Sequence, residues 1–146
     1  MTEDSRAAAD TGAGEPIRVF LLDDHEVVRR GVRDLVEADG DLVVVGEAGS
    51  AEEALRRIPS VHPDVAVLDV QLGDGSGIEV CRDIRSSHPE IHCLMLTSYA
   101  DDEALLASVV AGAAGYVLTQ IRGNELVESV RKVASGPVSE AFTPAN

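Results

Sequence analysis

The sequence predicts an α/β protein built on an open, parallel, five-stranded sheet with helices wound on both faces. Three observations carry this. Five short apolar runs recur, each followed by apolar residues at helical spacing, in units of about 20–25 residues. The early runs are continuously apolar, as strands covered on both faces require, and do not alternate with polar residues. Two of the runs end in carboxylates, Asp23 and Asp24 after the first and Asp69 after the third. No sequence repeat recurs at the unit length, so the alternation marks βα architecture and not a solenoid.

Taken in order, residues 1–15 are rich in Ala, Gly and acidic side chains and lack apolar periodicity, which predicts a disordered acidic tail. The first strand is read over 17–22. A helix over 25–38 follows, with Val28, Val32, Leu35 and Val36 on its inward face and Asp24 as its cap. The second strand covers 42–47. Ser50-Ala-Glu-Glu53 is a capping box that opens a short helix through Ile58. Pro63-Asp64 precedes the third strand, 65–68, and a turn punctuated by Gly73, Gly75 and Gly77 leads into a helix over 76–86. Its apolar positions are Ile78, Val80, Cys81 and Ile84. The fourth strand is placed at 92–97, its helix at 101–111, and the fifth strand at 115–118. Asn124 caps a fifth helix whose inward stripe is Leu126, Val127, Val130 and Val133, and Gly136-Pro137 ends it. One globular domain over 16–136 results, with 137–146 as a linker or tail.

Composition excludes several functions. Hydrophobic residues make up 45% of the 146, so the chain is globular, and its apolar runs are far too short to span a membrane. The N-terminus has no apolar h-region, and Cys81 and Cys93 lack CxxC spacing; both point to a cytoplasmic protein with two structural thiols. The 26 acidic against 12 basic residues give a net charge of −14, which argues against nucleic acid as a partner of this segment. Aromatics are only 3%, leaving no platform for stacking bases. His62, His88 and His92 are scattered, with no metal-ligand spacing.

In an open parallel sheet, ligands bind beyond the carboxyl ends of the strands. Asp23, Asp24, Asp69, Thr97 and Thr119 stand at those ends. Three carboxylates gathered there repel one another, so one takes a proton or a hard cation neutralises them. Oxygen-only ligands with no His or Cys favour Mg2+, which can bridge an incoming phosphoryl group. A carboxylate is also a competent nucleophile toward phosphorus, and the Thr97 hydroxyl can bond phosphoryl oxygens. The plainer alternatives are that Asp69 merely caps the next helix and that His25 sits in a first helical turn near solvent. A phosphate-cofactor cradle after the first strand is excluded by Asp23-Asp24. Turnover on external substrates would want a second acid two residues past Asp69, where Gln71 stands, so the chain is not expected to be an enzyme.

With these residues in place, residues 17–134 resemble the receiver domain of a bacterial two-component response regulator. The matching features are Asp23-Asp24, Asp69, Thr97 and Tyr116 at their strand ends. The stretches Asp-Asp-His-Glu-Val-Val-Arg-Arg-Gly (23–31), Leu-Thr-Ser-Tyr (96–99) and Ala-Gly-Ala-Ala-Gly-Tyr (111–116) resemble the NarL/FixJ subfamily, and within it the dormancy-type, DevR/DosR-like receivers. The resemblance implies a flavodoxin-like (βα)5 fold with strand order 2-1-3-4-5. It implies phosphoryl transfer to Asp69 from a sensor histidine kinase, with Mg2+ held by Asp23, Asp24, Asp69 and the backbone carbonyl of Gln71. Thr97 and Tyr116 would be the switch, reshaping the face of the fourth helix, fifth strand and fifth helix, and homodimerisation is expected there or on a neighbouring face. Two departures stand out. Thr119 occupies the place of the family's lysine, with Arg122 the nearest basic residue in sequence, and Gly73 stands where a proline is usual, which should loosen the turn. Nothing after Gly136 supplies a DNA-binding domain, so any DNA role would need a part not present here. The rival reading is a pseudo-receiver, a phosphorylation-independent interaction module, because Thr119 replaces the switch lysine.

Overall fold

The computed structural model describes residues 15–98, 101–118 and 123–135, apart from the side chains of 123 and 124. The expected tail (1–15, save Glu15) and linker (137–146), and the positions of Thr119 and Arg122, lie outside the described residues, as does the Asn124 side chain that was expected to cap a helix. Five strands form one parallel sheet: β1 (Ile17–Leu22), β2 (Leu42–Ala48), β3 (Val65–Asp69), β4 (His92–Thr97) and β5 (Gly115–Leu118), in the order β2-β1-β3-β4-β5. The helices are α1 (Glu26–Glu37), α2 (Ala51–Val61), α3 (Gly77–Ser87), α4 (Asp102–Val110) and α5 (Gly123–Ser135). The 2-1-3-4-5 order anticipated from the sequence is the one observed.

The two faces of the sheet are sorted by the pleat. Phe20, Leu22, Ala66, Leu68, Cys93 and Met95 point to one side, where Ala54 and Ile58 of α2 and Val80, Cys81 and Ile84 of α3 cover them. Val19, Leu21, Val65, Val67, Leu94 and Leu96 point to the other, against Val36 of α1 and Leu126, Val127, Val130 and Val133 of α5. Burying each such side chain contributes about 1.5–3 kcal/mol, and the polar residues of the central strands stand at or near their ends.

Three local readings are corrected. On α1 only Val36 is fully buried, with Val32 packed at the edge of the core; Val28 and Leu35 are 41% and 45% exposed, because the helix meets the sheet over a narrower stripe than its spacing suggests. Asp24 does not cap α1: His25 is the N-cap and makes no side-chain cap bond, while the Asp23 carboxylate accepts from the His25 N–H at 2.8 Å. Helix α2 runs past Pro59 to Val61, its last turn closed by the His62 N–H donating to the Ile58 carbonyl at 2.9 Å. Its N-terminus is capped twice. Ser50 Oγ accepts from the Glu53 N–H at 3.2 Å, and Asp74 accepts from the N–H groups of Ala51 and Glu52 at 2.9 and 3.3 Å.

One glycine fixes how α3 approaches β3. A Cβ on Gly77 would lie 2.0 Å from the Asp69 carbonyl oxygen and 3.3 Å from Met95 Cε, so no side chain fits between the helix start and the strand end. Gly77→Ala is therefore expected to cost about 2–3 kcal/mol by urea unfolding, as an overpacked core site does. An unchanged midpoint would show that the helix and strand can part freely.

Candidate functional site

Sheet register brings the acidic residues together. Leu22 of β1 pairs with Leu68 of β3, so Asp23 and Asp69 each stand one residue beyond that pair. Asp69 in turn pairs with Leu96 of β4, which sets Thr97 one step further out, and Thr97 pairs with Leu118 of β5. β1 lies between β2 and β3, so the chain reverses direction across the sheet at the crevice where Asp23 and Asp69 meet. Ligand atoms of Asp23, Asp24, His25 and Asp69 all lie within 4.8 Å of one another.

Each carboxylate is held differently. Asp23 is buried, and its backbone carbonyl accepts from Arg29 Nη1 at 2.5 Å. Arg29 Nε also donates to Glu47 at 3.0 Å, and Arg33 donates to the same carboxylate at 2.6 Å, a brace from α1 to the end of β2. Although burial opposes it, the two arginines keep the Glu47 carboxyl below the usual carboxylate range. Asp24 Oδ2 accepts from the Gly73 N–H at 3.0 Å. A proline at that position would have no such donor; Gly73 ties the turn after Asp69 to the acidic pair. That turn is a two-residue antiparallel ribbon, Gln71–Leu72 against Gly75–Ser76. It is also held by Asp74 at the start of α2 and by Ser76 Oγ, which accepts from the Ile78 N–H at 3.0 Å and caps α3.

Asp69 itself is half-buried, with the Gln71 N–H 3.4 Å from its Oδ1. Its carboxyl is pushed up to about 6, by burial first and then by Asp23, with Asp24 adding to the effect. The donor set fits a hard divalent cation through its three carboxylates, with an imidazole at the rim. Among the described residues, the imidazole is the component the sequence reading kept outside the site. His25 is 73% exposed, as a residue near solvent should be, yet its Nδ1 lies 3.0 Å from Asp24 Oδ1 and 3.4 Å from Asp23 Oδ1. Arg29 was also missed; its only sequence signal is an arginine one turn and a half beyond the acidic pair.

Thr97 is buried at the end of β4, and Tyr116, paired with Met95 across β4 and β5, packs at the edge of the Phe20 core. The phenol is buried without a well-formed hydrogen bond among the described residues. Its pKa is raised, by burial first and then by Asp101, with the Thr97 hydroxyl acting in the opposite direction. The two residues are thus polar neighbours across adjacent strands. Thr119, which follows β5 in sequence, is outside the described residues.

Comparison with known proteins agrees with this fold. The family model described as "Response regulator receiver domain" matches residues 19–131. The DNA-binding transcriptional activator DevR/DosR of Mycobacterium tuberculosis is 58% identical over 120 residues, 82% of this chain and 55% of that protein. The response regulator protein VraR of Staphylococcus aureus is 33% identical over 120 residues, 82% of this chain and 57% of its own. The chain thus spans about half the length of these relatives. Among solved structures, the receiver domain of a response regulator NarL from Mycobacterium tuberculosis superposes with a TM-score of 0.81 at 32% identity, covering 84% of this chain and 99% of that one.

The raised Asp69 pKa has a signed consequence. A carboxyl that binds its proton more tightly folded than unfolded weakens the fold as it ionises, so stability falls as pH rises from the ordinary 3.8 through about 6 and is level above that. In chelator, Asp69→Asn is expected to stabilise the protein at pH 7.5 by roughly 1–2 kcal/mol, the shift being discounted for solvent screening. Urea unfolding across pH should show the gain vanish by about pH 4. A gain that is constant with pH would assign it to packing and not to charge.

Proposed function

The chain belongs to the response regulator receiver family, and from that premise we propose that Asp69 is its phosphoacceptor, charged by a phosphohistidine of a sensor histidine kinase. The observation that carries the reading is the carboxylate cluster in which Asp69 is pushed up to about 6 yet remains ionised near neutrality. An Asp69 carboxylate oxygen attacks phosphorus, the new O–P bond forms as the P–N bond breaks, and the electron pair returns to the departing imidazole. Asp23, Asp24, Asp69 and the carbonyl of Gln71 would hold Mg2+, which when bound neutralises the cluster and offsets charge on the transferring group.

The remaining residues position and report. Gly73, through its bond to Asp24, and Gln71, beside Asp69, hold the turn over the acceptor. Thr97 bonds the phosphoryl oxygens, and Tyr116 repacks as that bond forms, shifting the population of the α4-β5-α5 face. Helix α4 supports a partner surface there. Its one fully buried residue is Ser108, while Leu106 and Val110 are 65% and 75% exposed, an apolar face without cover in a single chain. A second copy of the chain is the expected occupant. With a net charge of −14, this segment is not the part that touches DNA; the DNA binding named for DevR/DosR would need a further, basic segment. No helix among the described residues is long and apolar enough to cross a membrane, and the protein is read as cytoplasmic.

Thr119 sets this receiver apart. A lysine there would supply a charge-assisted bond to the phosphoryl group, and its loss removes about 2 kcal/mol from the activated state. Mg2+ binding does not suffer, since removing a neighbouring cation favours another. The receiver is thus read as keeping its metal site and acceptor while coupling them weakly to the output face.

Intact-mass analysis after incubation with a small phosphodonor and Mg2+ should show one phosphoryl adduct, absent in Asp69→Asn. No adduct in a protein that still binds Mg2+ would favour the phosphorylation-independent module. Thr119→Lys should strengthen phosphorylation-dependent dimerisation by up to about 30-fold in sedimentation experiments. No gain over the native chain would sink the assigned effect of Thr119.

A further inference from the structure

Two of the histidines that look scattered in the sequence, His62 and His88, meet in space, with their ring centroids 6.1 Å apart. His62 and His88 close α2 and α3 respectively, and Glu90 follows in the loop to β4. We propose that His62, His88 and Glu90 form a binding site for a borderline divalent cation of the zinc class, on the edge of the sheet opposite Asp69. His62 lies just ahead of β3 and Glu90 just ahead of β4, whereas Asp69 ends β3.

Donor spacing supports it. His62 Nε2 is 2.7 Å and His88 Nδ1 3.6 Å from Glu90 Oε2, and one ligand atom from each residue falls within 4.8 Å of the others. Ligands about 2.0–2.2 Å from a tetrahedral ion stand roughly 3.3–3.5 Å apart, so small rotations of exposed side chains bring the three into range. Two imidazoles and one carboxylate match zinc, cobalt or nickel far better than Mg2+, leaving a fourth position for water. The acidic cluster at the other edge has the opposite bias, so the two ends of the domain would sort different metals.

The backbone holds this arrangement before any ion arrives. His62 sits at φ 51°, in the left-handed region where residues other than glycine are uncommon, and it is the one described non-glycine residue there. The His88 N–H donates to the Ile84 carbonyl at 2.6 Å, and the Ile91 N–H to the His88 carbonyl at 3.0 Å. Arg85 reaches across the loop to the carbonyls of Pro89 and Ile91, which pins the backbone on both sides of Glu90. Electrostatics favours a cation. Two helix C-termini converge here, each the negative end of its dipole. The Glu90 carboxyl is held below the usual range by its own backbone N–H first and by His62 next, so it stays ionised.

The test is a zinc titration of the full chain in excess Mg2+, read by competition with a chromogenic indicator. It is run on the native protein, His62→Asn, His88→Gln and Asp69→Asn. Asparagine is chosen because it tolerates the left-handed backbone of His62. One saturable zinc per chain, weakened about tenfold or more in both histidine variants, is expected. Circular dichroism confirms that each variant is folded. No saturable zinc binding by the native chain overturns the proposal, as does zinc that both histidine variants keep. Zinc lost only in Asp69→Asn belongs to the acidic cluster and overturns it equally.

Discussion

The rest of this structure depends on the repulsion among the carboxylates of Asp23, Asp24 and Asp69. Nothing in the side chains themselves would bring three like charges together. Sheet register does so, by pairing Leu22 with Leu68 and leaving the acidic residues to project past the ends of β1 and β3. Core burial along those strands supplies the stabilisation that holds them there against the electrostatic cost. The site is therefore a strained arrangement that the fold maintains, and a cation or a proton relieves it.

Supporting interactions make sense in that light. Arg29 anchors the carbonyl of Asp23 and is itself held by Glu47; Gly73 ties Asp24 to the turn after Asp69; Gly77 lets α3 press against the Asp69 carbonyl. Each contact fixes backbone and leaves Asp69 half-open to solvent. An acceptor must be reachable by a phosphoryl donor, so a rigid frame around an accessible carboxylate is what the chemistry requires.

Much of this was legible in the sequence, for identifiable reasons. Continuous apolar runs such as Val65-Ala-Val-Leu marked strands covered on both faces, and the residues that end them marked the ligand edge, so the parallel α/β class and the cluster of Asp23, Asp24 and Asp69 followed, while the strand order came from the family resemblance. Capping by Ser50 was readable because the motif is local. What escaped detection depends on long-range contact. Asp74 capping α2, Gly73 bonding Asp24, and His62 meeting Glu90 join residues 22 or more apart in sequence, and no local pattern announces them. The exposed Val28 and Leu35 were misplaced for a related reason: helical spacing says which residues share a face, and not how much of that face the sheet covers.

The central claim is that the fold holds the Asp69 carboxyl half-buried beside two like charges, and a direct titration of that carboxyl tests it best. Carbon-13 NMR of the Asp69 side chain in chelator should give a pKa of about 6, and adding Mg2+ should drive it well below that. An ordinary aspartate value in chelator, unmoved by Mg2+, would contradict this, since Asp69 would then feel neither its burial nor its neighbours' charge and would share no cation with them.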